Sequence, residues 1–109
     1  MATMLTIIET EAFEKLWPLY WTENEHDVFI MFVAENPSAG DVVRGSGGVR
    51  KVRWSRSGSG KSGGVRVIYF NRLANGEIWL LMIYAKSKLD SVDGNILKEL
   101  KDEIEKTIE

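Results

Sequence analysis

The stretch Glu77-Ile-Trp-Leu-Leu-Met-Ile-Tyr-Ala85 constrains the fold more than any other part of this 109-residue chain. After Glu77 it is apolar without alternation, rich in aromatic and β-branched residues, and preceded by the tight-turn pair Asn75-Gly76. A strand that is apolar on both faces must be covered on both sides, so it belongs at the centre of a sheet with helices above and below it.

The rest of the chain supplies those parts. Leu5-Thr-Ile-Ile8 is short and β-branched and reads as a strand. Thr10 is placed as a helix N-cap, with Glu11 and Glu14 in the first turn, and Phe13, Leu16, Trp17 and Tyr20 form one apolar stripe that Pro18 should end. Thr22 and Glu25 have the spacing of a capping box, and with Asn36-Pro37 downstream they assign Val28 to Val33 to a second helix. Val49 to Trp54 and Val65 to Phe70 read as paired strands joined by a long glycine-rich tip. Alternation puts Val52 and Trp54 on one face of the first strand and Lys51 and Arg53 on the other. Ile96, Leu97, Leu100, Ile104 and Ile108 recur at helical spacing, predicting a terminal amphipathic helix that packs on the domain, with partner docking as its alternative use. The expectation is one α+β domain over 1–109: a small, mainly antiparallel sheet of four strands, flanked by an N-terminal helical hairpin and a C-terminal helix.

Charge is distributed unevenly. The formal net charge is -2, yet Arg44, Arg50, Lys51, Arg53, Arg56, Lys61, Arg66 and Arg72 follow one another with no acidic residue between them. From Glu9 to Asp41 the charges are nearly all acidic, Lys15 being the one basic residue. Folding that sorts these regions apart leaves one positive surface for a polyanion. The alternative is a solvated basic face with no partner. The chain has no cysteine, no basic leader precedes Glu9, and no apolar run is long enough to span a bilayer, so a soluble cytoplasmic protein is expected, with no membrane partner.

Familiar catalytic motifs are missing. Gly60-Lys61-Ser62 suggests a phosphate-binding loop, but Ser55 stands where that motif needs glycine, and a strand rather than a helix follows. His26, the single histidine, lies among Glu23, Glu25 and Asp27 and reads as an exposed helix residue. No metal-ligand cluster or carboxylate pair stands out, and no metal or cofactor is expected. A basic surface can nonetheless cleave RNA. Attack of a ribose 2′-hydroxyl on its own phosphodiester needs a proton acceptor, stabilisation of added negative charge and a proton for the leaving oxygen, and clustered cations can supply all three.

The run Gly58-Ser-Gly-Lys-Ser-Gly-Gly-Val-Arg-Val-Ile-Tyr69, with Gly47-Gly-Val-Arg-Lys-Val-Arg53 before it and Leu80-Leu-Met-Ile-Tyr-Ala-Lys86 after it, resembles the HigB branch of the RelE-like toxins. The order of elements is similar over nearly the whole chain. The resemblance implies an endoribonuclease that cuts mRNA in the A site of the small ribosomal subunit and is held inactive by a cognate antitoxin, a helix-turn-helix protein of the HigA kind. It implies catalytic roles for Lys51, Arg53, Arg66 and Lys86, and RNA contacts for Arg50, Arg56, Lys61, Tyr69, Tyr84 and Lys88. No aromatic residue lies between Lys86 and Asn95, so Tyr84 is the side chain left to meet a base there. The competing expectation is a non-catalytic RNA- or ribosome-binding module that keeps the patch and lacks the chemistry.

Overall fold

The computed structural model describes residues 5–55, 64–87 and 92–107. The apolar strand β5 (Glu77–Ala85) is an interior strand with a neighbour on each side, as its two-faced composition requires. The sheet order is β1-β5-β4-β3-β2, with β1 (Thr6–Glu9), β2 (Asp41–Val42), β3 (Arg50–Trp54) and β4 (Val65–Arg72) completing it. β1 runs parallel to β5 and every other neighbouring pair is antiparallel. The sheet has five strands rather than four because Asp41 and Val42 pair with Lys51 and Arg50 at the edge, a two-residue strand too short to leave a periodic signal.

Both predicted caps form. The Thr10 side chain accepts from the Phe13 N–H at the start of α1 (Glu11–Leu16), and Thr22 and Glu25 make a reciprocal capping box at the start of α2 (Glu23–Glu35). Pro18 lies in a 3-10 turn, Trp17–Leu19, which ends the first helix. On the hairpin side of the sheet, Phe13, Trp21, Phe29 and Val33 pack on Val65, Val67, Tyr69, Ile78, Leu80 and Ile83. On the other side, α3 (Gly94–Thr107) contributes Leu97 to a second core with Val49, Ile68, Phe70, Leu81 and Tyr84. Gly94 is required there, since a Cβ at this position would collide with the Arg44 carbonyl oxygen.

His26 departs from the sequence reading. Its side chain is half-buried rather than exposed: Nε2 lies 2.7 Å from a Glu9 carboxylate oxygen and the ring stacks on Trp17 with centroids 4.0 Å apart. The pair ties the end of β1 to α2. Its partner is 17 residues away in sequence, outside the local window that made the residue look exposed.

One irregularity matters for the site. Ile68 pairs with Met82 while Tyr69 pairs with Leu80, so Leu81 is an extra residue, a β-bulge in β5. The Leu80 carbonyl accepts from the Thr10 N–H at 3.1 Å and the Leu81 carbonyl from Thr10 Oγ1 at 2.7 Å, so the start of α1 holds the bulge in place.

Candidate nucleic-acid interface

Register brings the basic residues of β3 and β4 together. Arg53 pairs with Arg66, and Arg66 in turn with Tyr84, which makes one row across three strands on the α3 side of the sheet. The next row carries Lys51, Ile68 and Met82. Directly opposed residues of an antiparallel pair share a face with Cβ atoms about 5 Å apart, so the Arg53–Arg66 pairing brings two positive charges to one face of the sheet. Arg53 is exposed and Lys51 half-exposed, whereas Arg66 is only 6% exposed and reaches the Val65 carbonyl with Nη1 at 3.4 Å.

Gly64 sets this register. Its φ is +64°, and a Cβ there would strike the Trp54 carbonyl oxygen, so the chain re-enters the sheet opposite Trp54 only with glycine at this position. Lys86 follows the last residue of β5, and its N–H donates to the Gly64 carbonyl at 3.3 Å. The exposed turn that carries Lys86 therefore lies at the same end of the sheet as Arg53 and Arg66.

Two of the residues expected to contact RNA are directed elsewhere. Tyr69 is fully buried on the hairpin side, where its hydroxyl donates to the Pro37 carbonyl at 2.8 Å and accepts from the Gly40 N–H at 2.9 Å. Burial pushes its phenol above the ordinary value, against the opposing effects of the Gly40 hydrogen bond and the Arg50 charge. Arg50 shares that face with Tyr69 and donates to the Gly40 carbonyl at 2.6 Å. Both residues hold the 37–40 turn to the sheet, and neither joins the Arg53–Arg66 row. Arg72 belongs to the basic stretch in sequence, but it pairs with Glu77 at 3.1 Å and Glu105 at 4.0 Å. Arg56, Lys61 and Lys88 lie outside the described residues.

Asp41 was not expected near the site. Its register opposite Lys51 places an exposed carboxylate beside the cationic rows, and the only sequence signal for it was the Gly40-Asp41 turn. Among the described residues no group of three or more His, Cys, Asp or Glu side chains could hold a metal ion.

Tyr84 is placed by the bulge. Trp79 pairs with Phe70 on the α3 side, and strict alternation over the five residues from Trp79 would turn Tyr84 to the hairpin side. The extra Leu81 reverses that and sets Tyr84 opposite Arg66. The residue is 6% exposed, and its hydroxyl has no hydrogen-bond partner among the described residues. Burial raises its pKa, with the Arg66 charge pulling the other way.

The class defined by this arrangement is a small α+β domain that presents paired arginines on one face of an antiparallel sheet. Its fold is that of the RelE toxins. A solved structure of E. coli toxin RelE in the free state, carrying two arginine-to-alanine substitutions, is similar with a TM-score of 0.59 and 15% sequence identity, covering 81% of this chain and 90% of that one. No family model matches the sequence. Among the described residues no helix is long and apolar enough to cross a membrane.

Proposed function

We propose that this chain is the toxin of a type II toxin-antitoxin system, a RelE-like protein of the HigB branch that cleaves mRNA in the ribosomal A site. The observation that carries the reading is the direct pairing of Arg53 with Arg66, beside Lys51 and near the turn bearing Lys86. Two guanidinium groups in register suit a phosphodiester, whose two non-bridging oxygens can accept from both. The added charge of a pentacoordinate phosphorus is then met by fixed cations.

In this mechanism Lys51 or Lys86 takes the proton of the ribose 2′-hydroxyl as its oxygen attacks the adjacent phosphorus. The P–O5′ bond breaks, and the leaving oxygen receives a proton from the other lysine. The products are a 2′,3′-cyclic phosphate and a 5′-hydroxyl, and no metal is invoked. Arg56, Lys61 and Lys88 are assigned to ribosomal or messenger RNA backbone, where they attract without reading sequence. A helix-turn-helix antitoxin of the HigA kind is the partner that restrains the activity in the cytoplasm.

The burial of Arg66 favours a second reading, a non-catalytic RNA- or ribosome-binding module, because a phosphate must reach a guanidinium that is 6% exposed. Producing the protein in cells and mapping mRNA 5′ ends separates the two. The toxin gives growth arrest and new ends within codons, both lost in Arg66→Ala and both relieved by co-production of an adjacent helix-turn-helix protein. The module gives salt-sensitive ribosome binding with no new ends.

A further inference from the structure

We propose that the cavity between the N-terminal half of α2 and the end of β3 receives an arginine side chain of another protein, and that an apolar residue beside that arginine rests on Val28 and Met31. The site lies on the hairpin side of the sheet, where Trp54 packs, and does not depend on the cationic row of the proposed function.

The cavity encloses about 170 Å³ and is lined by Asn24, Glu25, Val28, Trp54 and Ser55. Small-ligand sites begin at roughly 300 Å³, so the space suits a single side chain. Its lining combines an aromatic ring and an aliphatic group with three kinds of acceptor: the Asn24 amide, the Ser55 hydroxyl and the Glu25 carboxylate. The capping box engages Oε1 of that carboxylate, and a carboxylate has acceptor sites for more than one partner. Trp54 is held in place by Phe32, with ring centroids 4.6 Å apart, and by Phe29 at 5.2 Å. A fixed aromatic wall together with acceptors is what a guanidinium needs, because its plane stacks on a ring while its five N–H groups fan out in a rigid fork. The aliphatic stem of the same side chain meets Val28.

Charge selects a cation over an anion here. α2 carries Glu23, Glu25, Asp27 and Glu35 and neither lysine nor arginine. Its N-terminus contributes only about half a positive charge, against the carboxylates of Glu23, Glu25 and Asp27 at the same end. The N–H of Glu25 already donates to Thr22 Oγ1, and His26 is engaged by Glu9. A phosphate or an RNA backbone is therefore disfavoured, and a basic protein segment is favoured. The rim supplies the apolar half of the contact. Val28 is 50% and Met31 65% exposed, and with Asn24 they form one stripe of α2 at the i, i+4, i+7 spacing. Two large apolar side chains left in water beside an acidic cavity match a partner that carries an arginine and an apolar residue one helical turn apart.

The test uses the full chain, labelled for nitrogen NMR and read at the indole N–H of Trp54, which is identified by its loss in Trp54→Phe. The probe is a short alanine-based peptide, acetylated and amidated, carrying one arginine and one leucine a helical turn apart. Counterparts replace the arginine with citrulline or lysine, or the leucine with serine. The arginine peptide should shift the Trp54 signal saturably. Citrulline keeps the shape and loses the charge, and should weaken binding about fivefold or more. The lysine and serine counterparts should also bind more weakly than the parent. Glu25→Gln keeps the capping box and removes the charge, so it should weaken the arginine peptide about threefold or more with little change in melting temperature. Val28→Ser should abolish the advantage of leucine over serine. Equal binding of the citrulline or lysine peptide, indifference to Glu25→Gln or to Val28→Ser, or no shift at Trp54 would each overturn the inference. So would a shift produced by guanosine or a short oligoribonucleotide but not by the peptide, which would make the cavity a nucleobase site. Binding that emerges only in Arg56→Ala would assign the cavity to this chain's own arginine and equally overturn a foreign partner. None of these readouts involves RNA cleavage, so the proposed function stands or falls separately.

Discussion

Tyr69 and Tyr84 show how two buried phenols in one sheet come to opposite ends. The Tyr69 hydroxyl is satisfied twice, by Pro37 and Gly40, whereas that of Tyr84 has no partner among the described residues. Tyr69→Phe should therefore cost about 1–3 kcal/mol, since it strands a buried N–H, while Tyr84→Phe should be neutral or stabilising. Urea denaturation of the two variants checks this, and the reverse order would contradict the hydrogen-bond assignments. Both phenols have raised pKa values in the folded state, with burial as the leading cause. The unfolded chain releases those protons first, near the ordinary tyrosine value of about 10. The stabilising contribution is thus fully present below that pH and is lost as pH rises through the folded-state values. A stability profile that falls above about pH 10 in the wild type, and falls less steeply in Tyr69→Phe and Tyr84→Phe, is the expected result. Alternation alone separates Arg50 from Lys51 and Tyr69 from Arg66, so their absence from the cationic row was already written in the sequence.

At the scale of elements, the signals that predicted structure were local ones. Thr10, the Thr22–Glu25 box, Pro18 and the unbroken apolar run of β5 each act within a few residues, and each marks its element where expected. Non-local features left no such mark. The β5 bulge adds one residue to a strand that is apolar on every side, so no change of pattern reveals it, and β2 is only two residues long. Thr10 supports both helix and bulge, donating to the Leu81 carbonyl while capping α1. Thr10→Ala should cost about 1–2 kcal/mol, at the upper end for an N-cap because a second hydrogen bond goes with it. Gly64→Ala should cost more than about 1 kcal/mol, since the backbone conformation and the Trp54 carbonyl both oppose a side chain. Thermal denaturation tests both, and a silent Gly64→Ala would contradict the register that sets Arg66 opposite Arg53.

For the molecule as a whole, a net charge of -2 coexists with a positive patch because the fold distributes charge by face. The acidic α1 and α2 lie on one side of the sheet, and Lys51, Arg53 and the buried Arg66 belong to the other, which they share with Asp41 and the mixed-charge α3. Affinity for ribosomes or RNA should therefore fall with salt despite the overall acidity. A slope of about -2 in a log–log plot is expected if three phosphates are neutralised on a single strand. Only part of the basic stretch contributes to this surface, because Arg50 and Arg72 are engaged in holding the fold.

The central claim is that Arg66, paired with Arg53, clamps a scissile phosphate on the ribosome. It is tested most directly by primer extension on mRNA in a purified translation reaction, comparing wild type with Arg66→Ala and Arg66→Lys. The account predicts new 5′-hydroxyl ends within the A-site codon for the wild type, with a rate reduced about a hundredfold or more in Arg66→Ala. Undiminished cleavage by a folded Arg66→Ala protein, or cleavage of free RNA but not of ribosome-bound mRNA, would contradict it.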